Sequence, residues 1–125
     1  MDDYKIYELT EKDVESYIDT SGQINPSSVN SCDRPNLLMT AVMVNDVELV
    51  RSCLEIDVDF SNPKLLENSA YYGYYEIVKM LLEKGADPTY ADGWCVKIAH
   101  IRCHYKTSKL INQYLRKYKL KKLQL

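Results

Sequence analysis

Residues of the types that bind metals or act as nucleophiles lie close together near the end of the chain. They are His100, Cys103 and His104, with Cys95 eight residues before Cys103. On one helix, positions i, i+3 and i+4 share a face, so with Cys95 these side chains would supply the four ligands of a zinc site. His100 and Cys103 would instead form a nucleophilic pair, but the sequence shows neither a third orienting group nor an oxyanion loop for them. The remaining carboxylates are scattered, and the sequence has no glycine-rich phosphate loop.

The composition indicates a single small domain. The chain has 125 residues, 46% of them hydrophobic, which is enough for one modest core but not for two independent ones. Its four cysteines form no CxxC pair, which favours free thiols in a reducing compartment over a disulfide framework. The N-terminus has the pattern of neither a signal peptide nor a transit peptide, and no apolar run approaches the length of a membrane span. We therefore expect a cytoplasmic protein that does not bind membranes.

Charge is distributed unevenly along the chain. Residues 1–35 carry eight acids and three bases, whereas residues 101–125 carry eight bases and no acid. These bases would allow a salt-sensitive contact with nucleic acid, although such a run is more often the polar face of a capping helix. They are Arg102, Lys106, Lys109, Arg116, Lys117, Lys119, Lys121 and Lys122.

A short amphipathic helix between two glycines organises the chain. Its apolar side chains fall at i, i+1, i+4 and i+5 and form one stripe: they are Ile77, Val78, Leu81 and Leu82. Gly73 permits a turn before this helix, and Gly85 supplies a left-handed residue after it. A stripe of about two turns is too short to be stable alone, so it must pack against neighbours of the same kind.

Aligning Gly73 with Asn45 and with Cys103 brings the rest of the chain into register, with spacings of 28 and 30 residues. An inner helix is predicted before each of these turns, with Leu37, Leu38, Ala41 and Val42 in the first, Leu65, Leu66, Ser69 and Ala70 in the second, and Val96, Ile98 and Ala99 in the third. This register places Cys103 in a turn, where the candidate zinc ligands would point apart. We therefore favour structural roles for them and predict no catalytic residue, metal or cofactor.

The two ends of the chain have cap-like patterns. Residues 13–18, followed by Gly22, have the pattern of an acidic N-terminal capping helix, and residues 25–35 that of a long turn-forming finger. At the other end a helical stripe predicts the last outer helix, after which we expect the final residues to fray. That stripe comprises Leu110, Ile111, Tyr114, Leu115 and Tyr118.

The run from Gly73 to Asp87 resembles the second half of an ankyrin repeat. The family pattern is a glycine, a histidine, any residue, Glu-Ile-Val-Lys, three leucines, two polar residues and Gly-Ala-Asp, and Tyr74 stands at the histidine position. The resemblance covers about residues 10–118 and implies an all-α fold, a short ankyrin-repeat solenoid of stacked helix-turn-helix units between capping helices. It divides residues 1–125, one domain, into an N-terminal cap and finger (1–35), repeats at 36–62 and 63–92, and a last repeat with a basic cap (93–125). The inner helices lack the family's Thr-Pro-Leu-His start.

The resemblance implies a non-catalytic module that binds another protein through a concave face. The implied partner-binding positions are Arg34, Met43, Val44, Tyr71, Tyr72, Asp92, Trp94, Ile101 and Arg102. Several of these are of the residue types that make binding hot spots. The repeats are short, as in ankyrin proteins of large DNA viruses and microbes, which hints at a viral or phage inhibitor of a host protein in the host cytoplasm. The alternative is a nucleic-acid-binding or zinc-dependent protein that uses the basic C-terminal region.

Overall fold

The structure, a computed structural model, describes residues 33–56, 58 and 60–123. These residues form six α-helices and contain no strand. The helices are α1 (Arg34–Met43), α2 (Val47–Glu55), α3 (Pro63–Tyr72), α4 (Tyr75–Glu83), α5 (Tyr90–Ile101) and α6 (Tyr105–Leu123). Contacts group the chain into two compact units, Met1–Phe60 and Ser61–Leu125. The predicted capping helix at 13–18 and most of the predicted finger lie outside the described residues.

The described part of the first unit is one helix pair, in which α1 packs against α2. The predicted apolar residues of α1 are buried, and so are Val50, Cys53 and Leu54 of α2. The predicted finger is wrong at its C-terminal end, because Arg34 and Pro35 already belong to α1. Proline suits the first turn of a helix, where the N–H that it lacks would have no partner. Asp46 caps α2 by accepting a hydrogen bond from the Leu49 N–H at 3.1 Å.

The second unit contains two helix pairs. Helix α3 packs against α4 and α5, and α6 packs against α4 and α5. The stripe predicted for α4 is fully buried, and the predicted residues of α3 are buried as well. In α5, however, the buried residues are Gly93, Cys95 and Ala99, whereas Val96 and Ile98, predicted for the core, are only half-buried. The 30-residue spacing accounts for the burial of Cys95, which it aligns with the buried Leu65, but not for the partial exposure of Val96, which it aligns with the buried Leu66.

The three aligned turns have the same backbone conformation, which confirms the register. Asn45, Gly73 and Cys103 have φ of 59°, 71° and 67°, respectively. In each turn the following residue donates a backbone hydrogen bond to the carbonyl five residues before it, as the N–H of His104 does to Ala99 O at 2.8 Å. This pattern is the Schellman motif, which ends a helix with one left-handed residue. Gly85, with φ of 104°, ends α4 in the same way.

We expect Cys103→Gly to raise the free energy of unfolding by about 0.5–1 kcal/mol. A residue with a Cβ in the left-handed region costs about 1–2 kcal/mol, of which the greater freedom of glycine in the unfolded chain returns about half. Urea denaturation would measure this gain. As a control, Gln113→Gly on the exposed side of α6 should instead lower stability by about 1 kcal/mol. A loss of stability in both variants would contradict the prediction.

Helix α5 begins with an irregular turn. Ala91, Asp92 and Gly93 have φ of 52°, 59° and 78°, so the chain is left-handed over three consecutive residues and regular helix begins only at Trp94. The turn holds Asp92 in solvent and places Trp94 at the start of the regular helix.

Helix α6 confirms the predicted C-terminal stripe. Ile111 is fully buried, and the other four stripe residues are half-buried. The helix continues to Leu123, into the segment that the sequence predicts to fray, and the last two residues lie outside the described range. None of the six described helices is long and apolar enough to cross a membrane.

Candidate recognition surface

Three tyrosines and an arginine meet where α3 ends. The Tyr72 ring lies edge-on to the Tyr71 ring at 4.9 Å and stacks on the Tyr74 ring at 5.5 Å. The Arg102 guanidinium, from the end of α5, lies 4.3 Å from the centre of the Tyr71 ring. We call Tyr71, Tyr72, Tyr74 and Arg102 the tyrosine cluster. Two of the residues predicted to bind a partner, Tyr71 and Arg102, are therefore in contact with each other.

The members of the tyrosine cluster differ in their exposure. Tyr72 is 45% exposed and Arg102 is exposed, whereas Tyr71 and Tyr74 are half-buried. Tyr71 therefore supports its neighbours, while Tyr72 and Arg102 present an aromatic ring and a guanidinium to solvent. Rings held by their neighbours lose little conformational freedom when a partner binds.

The remaining predicted binding residues lie in several surroundings. Met43 and Val44, at the end of α1, occupy the positions of Tyr71 and Tyr72 in the first unit and are also exposed, Val44 by 66%. Arg34 is half-buried in the first turn of α1 and not on a finger. Oδ2 of Asp92 lies 3.8 Å from Nζ of Lys97, close enough for an ion pair.

Trp94 and Ile101 are also exposed, and both line an open groove between α5 and α6. The groove has a volume of about 700 Å³. Sequence reasoning did not predict it, because it depends on which side chains the neighbouring helix leaves uncovered.

Comparison with models of known protein families identifies the family to which this chain is related. A model of ankyrin repeats in three copies matches residues 10–92, which is more than half of the chain. The chain belongs to the ankyrin repeat family. Ankyrin repeats are generally protein–protein interaction modules. A search of curated proteins and a search of solved structures each found no significant match. The match ends at residue 92, in the irregular first turn of α5, but the aligned left-handed turn at Cys103 extends the same helix-turn-helix pattern through α6.

The candidate zinc ligands of this ankyrin protein have separate surroundings. His100 faces the ring of Tyr105 at 5.2 Å, and Cys103 lies in the turn, where its sulfur accepts a hydrogen bond from the Tyr105 hydroxyl at 3.5 Å. His104 aligns with Tyr74, the family's histidine position, and its ring lies against Gly73. Cys95 is buried. Within the described part of the chain, no three His, Cys, Asp or Glu residues are placed to hold a metal ion.

Two of the cysteines are poor nucleophiles. Burial raises the pKa of Cys53 to about 12, with a smaller contribution from Asp46. Burial also raises the pKa of Cys95 to about 12, and the charge of Glu67 adds to this effect. Both thiols therefore stay protonated at neutral pH, and the thiolate is the reactive form. Cys53 lies at the position of Leu81 in the register, so it acts as a small apolar core residue.

Half of the basic side chains in residues 101–125 lie over tyrosine rings. Besides Arg102 over Tyr71, Lys106 lies 4.3 Å from the centre of the Tyr75 ring. Two more pairs lie along α6 itself: Lys117 over Tyr114 and Lys122 over Tyr118, each at 5.1 Å. Each such contact contributes about 0.5–1 kcal/mol at an exposed site. These pairs give the basic residues a structural role that needs no bound phosphate.

Proposed function

We propose that this chain is a non-catalytic recognition module that binds another protein through a surface centred on Tyr72. One observation carries the proposal: Tyr72 is 45% exposed although neighbouring rings contact it from two sides. A tyrosine ring that its neighbours already hold in place loses little conformational entropy when a partner binds, because most of that entropy was lost during folding.

Arg102 adds a polar contact to this surface. Its guanidinium rests on Tyr71 and remains exposed, so its N–H groups can donate to carboxylates or backbone carbonyls of a partner. Tyrosine and arginine are the residue types enriched at the energetic centres of interfaces. In the proposal, Trp94, Ile101 and Asp92 extend the surface along α5, and Met43, Val44 and Arg34 are the contact residues of the first unit.

Nucleic-acid binding is the weaker alternative. Lys106, Lys117 and Lys122 lie over tyrosine rings, and these contacts account for the three bases without a bound nucleic acid. The narrower proposal, that a viral or phage protein inhibits a host protein, rests on the 28- and 30-residue repeat spacings alone and stays a prediction.

Tyr72→Ala is expected to weaken partner binding more than fivefold, a loss of about 1 kcal/mol or more. The immobilised wild-type protein would first capture the partner from its native host, and mass spectrometry would identify it. Calorimetric titration with the purified partner would then compare the variants. Tyr71 is left intact because it is half-buried and its loss would disturb Arg102.

The matched control changes the exposed side of α4. Lys79→Ala combined with Glu83→Ala should alter affinity by less than about 0.5 kcal/mol, as is usual for exposed positions outside an interface. Full affinity in Tyr72→Ala, together with a loss in the α4 variant, would place the binding surface on the opposite side of the helix pair.

A further inference from the structure

The groove between α5 and α6 combines an apolar floor with a basic rim. Three of its large side chains are exposed: Ile101 by 64%, Tyr105 by 58% and Trp94 by 37%. Lys97 and Lys109 also line the groove. Among the described residues no carboxylate lines it, and Asp92, near Lys97, is 96% exposed at its side chain.

The register shows what kind of structure covers such a groove. Thirty residues earlier, Tyr71 and Tyr75 hold the positions of Ile101 and Tyr105. There, α5 packs against α3 and α6 packs against α4, so helices cover this face of the preceding helix pair. Arg102 and Lys106 of the covering helices contact the two tyrosine rings. The groove is therefore the counterpart of a face that binds helices, and no helix of the described part of the chain covers it.

The charges of the two faces differ. Lys97 occupies the position that Glu67 holds in the covered face, and the charge of Glu67 acts on Cys95 of α5. Lys109 aligns with Lys79. Helix α6 carries seven bases and no acid between residues 105 and 123. A basic segment approaching the groove is repelled, whereas an acidic one is attracted by Lys97 and Lys109 and steered by the field of α6.

We propose that this groove binds an acidic amphipathic helix of a partner protein. The apolar side of that helix covers Trp94, Ile101 and Tyr105, and its carboxylates face Lys97 and Lys109. The inference shares with the proposed function the premise that the chain binds proteins, together with the side chains of Trp94 and Ile101. Its decisive side chains, Lys97 and Lys109, lie outside the tyrosine cluster.

The probe is a displayed library of random helical peptides of roughly 15 residues, about four helical turns. After selection on the immobilised full chain, the expected winners carry Asp or Glu together with large apolar residues at helical spacing. Trp94 is the only tryptophan in the chain and lines the groove, so its emission should shift when a selected peptide binds. Enrichment of basic or uncharged peptides, or no enrichment, would overturn the proposal.

Reversing the charge of the two lysines tests whether the selected peptides bind in the groove. Lys97→Glu combined with Lys109→Glu should lower the affinity for the selected peptides at least tenfold. Lys79→Glu, the exposed counterpart of Lys109 in α4, should change it less than twofold. All three positions are exposed, and an unchanged circular dichroism melt would show that each variant folds. Equal losses in the two variants would show that net charge, and not the groove, attracts the peptides.

Tyr72→Ala separates this inference from the proposed function. Peptide binding should be unchanged in that variant; a loss there with none in the double lysine variant would assign the peptides to the tyrosine cluster and overturn the groove. Sedimentation of the chain without peptide tests whether a second copy of the chain occupies the groove instead. Self-association of the wild-type chain that Ile101→Ser abolishes would show that a second copy fills the groove, which also overturns the proposal.

Discussion

Replacing Leu81 by alanine is expected to lower the free energy of unfolding by about 2–5 kcal/mol. The Leu81 side chain has no exposed surface, and its helix α4 packs against both α3 and α6. Truncation therefore leaves a cavity in the core of this unit, which the surrounding side chains cannot close without losing other contacts. Since small domains are typically stable by about 5–15 kcal/mol, the loss should be evident in urea denaturation.

The register supplies a matched control for this truncation. Cys53 is equally buried at the equivalent position in α2, but its side chain is smaller, so Cys53→Ala removes fewer atoms and should cost less. The Leu81 variant also tests the prediction of a single domain. That prediction requires one transition for the whole chain, whereas separate unfolding of residues 61–125 would show that the two compact units are independent. A loss below about 1 kcal/mol would contradict the packing argument.

The sequence could predict the helix pairs because each rests on strong local signals. The stripe of α4 and the glycine at position 73 are such signals, and aligning them located the left-handed turns at Asn45 and Cys103, neither of which is a glycine. Two prolines also mark where inner helices begin. Pro35 and Pro63 each lie in the first turn of an inner helix, where proline is favoured, although neither lies in a Thr-Pro-Leu-His motif.

Other features depend on contacts that no local pattern records. Neither Ala91 nor Asp92 requires positive φ, so the irregular start of α5 could not be inferred from them. Stacking of Tyr72 on Tyr74 depends on how the turn at Gly73 orients both rings. The groove likewise follows from Ile101 and Tyr105 remaining uncovered, whereas their counterparts Tyr71 and Tyr75 are covered. A list of apolar positions does not distinguish these two cases.

Gly73→Ala is expected to lower the free energy of unfolding by about 2–5 kcal/mol, for two separable reasons. The first is conformational, because Gly73 has φ of +71° and a Cβ there costs about 1–2 kcal/mol. The second is steric. An added Cβ would lie 2.5 Å from Nδ1 and 2.6 Å from Cγ of His104, so the whole imidazole ring must move. Overpacking of this kind costs about 1–3 kcal/mol more. Urea denaturation would measure the sum.

Two comparisons separate the steric cost from the conformational one. Gly85 also has positive φ, +104°, but a Cβ there would meet nothing within 4 Å, so Gly85→Ala should show the conformational cost alone. Adding His104→Ala to the Gly73 variant removes the ring that clashes. The double variant should therefore be more stable than the sum of the single losses predicts, by about 1 kcal/mol or more. Strict additivity would show that His104 moves aside at no cost, and Gly73 would then be needed only for its backbone conformation.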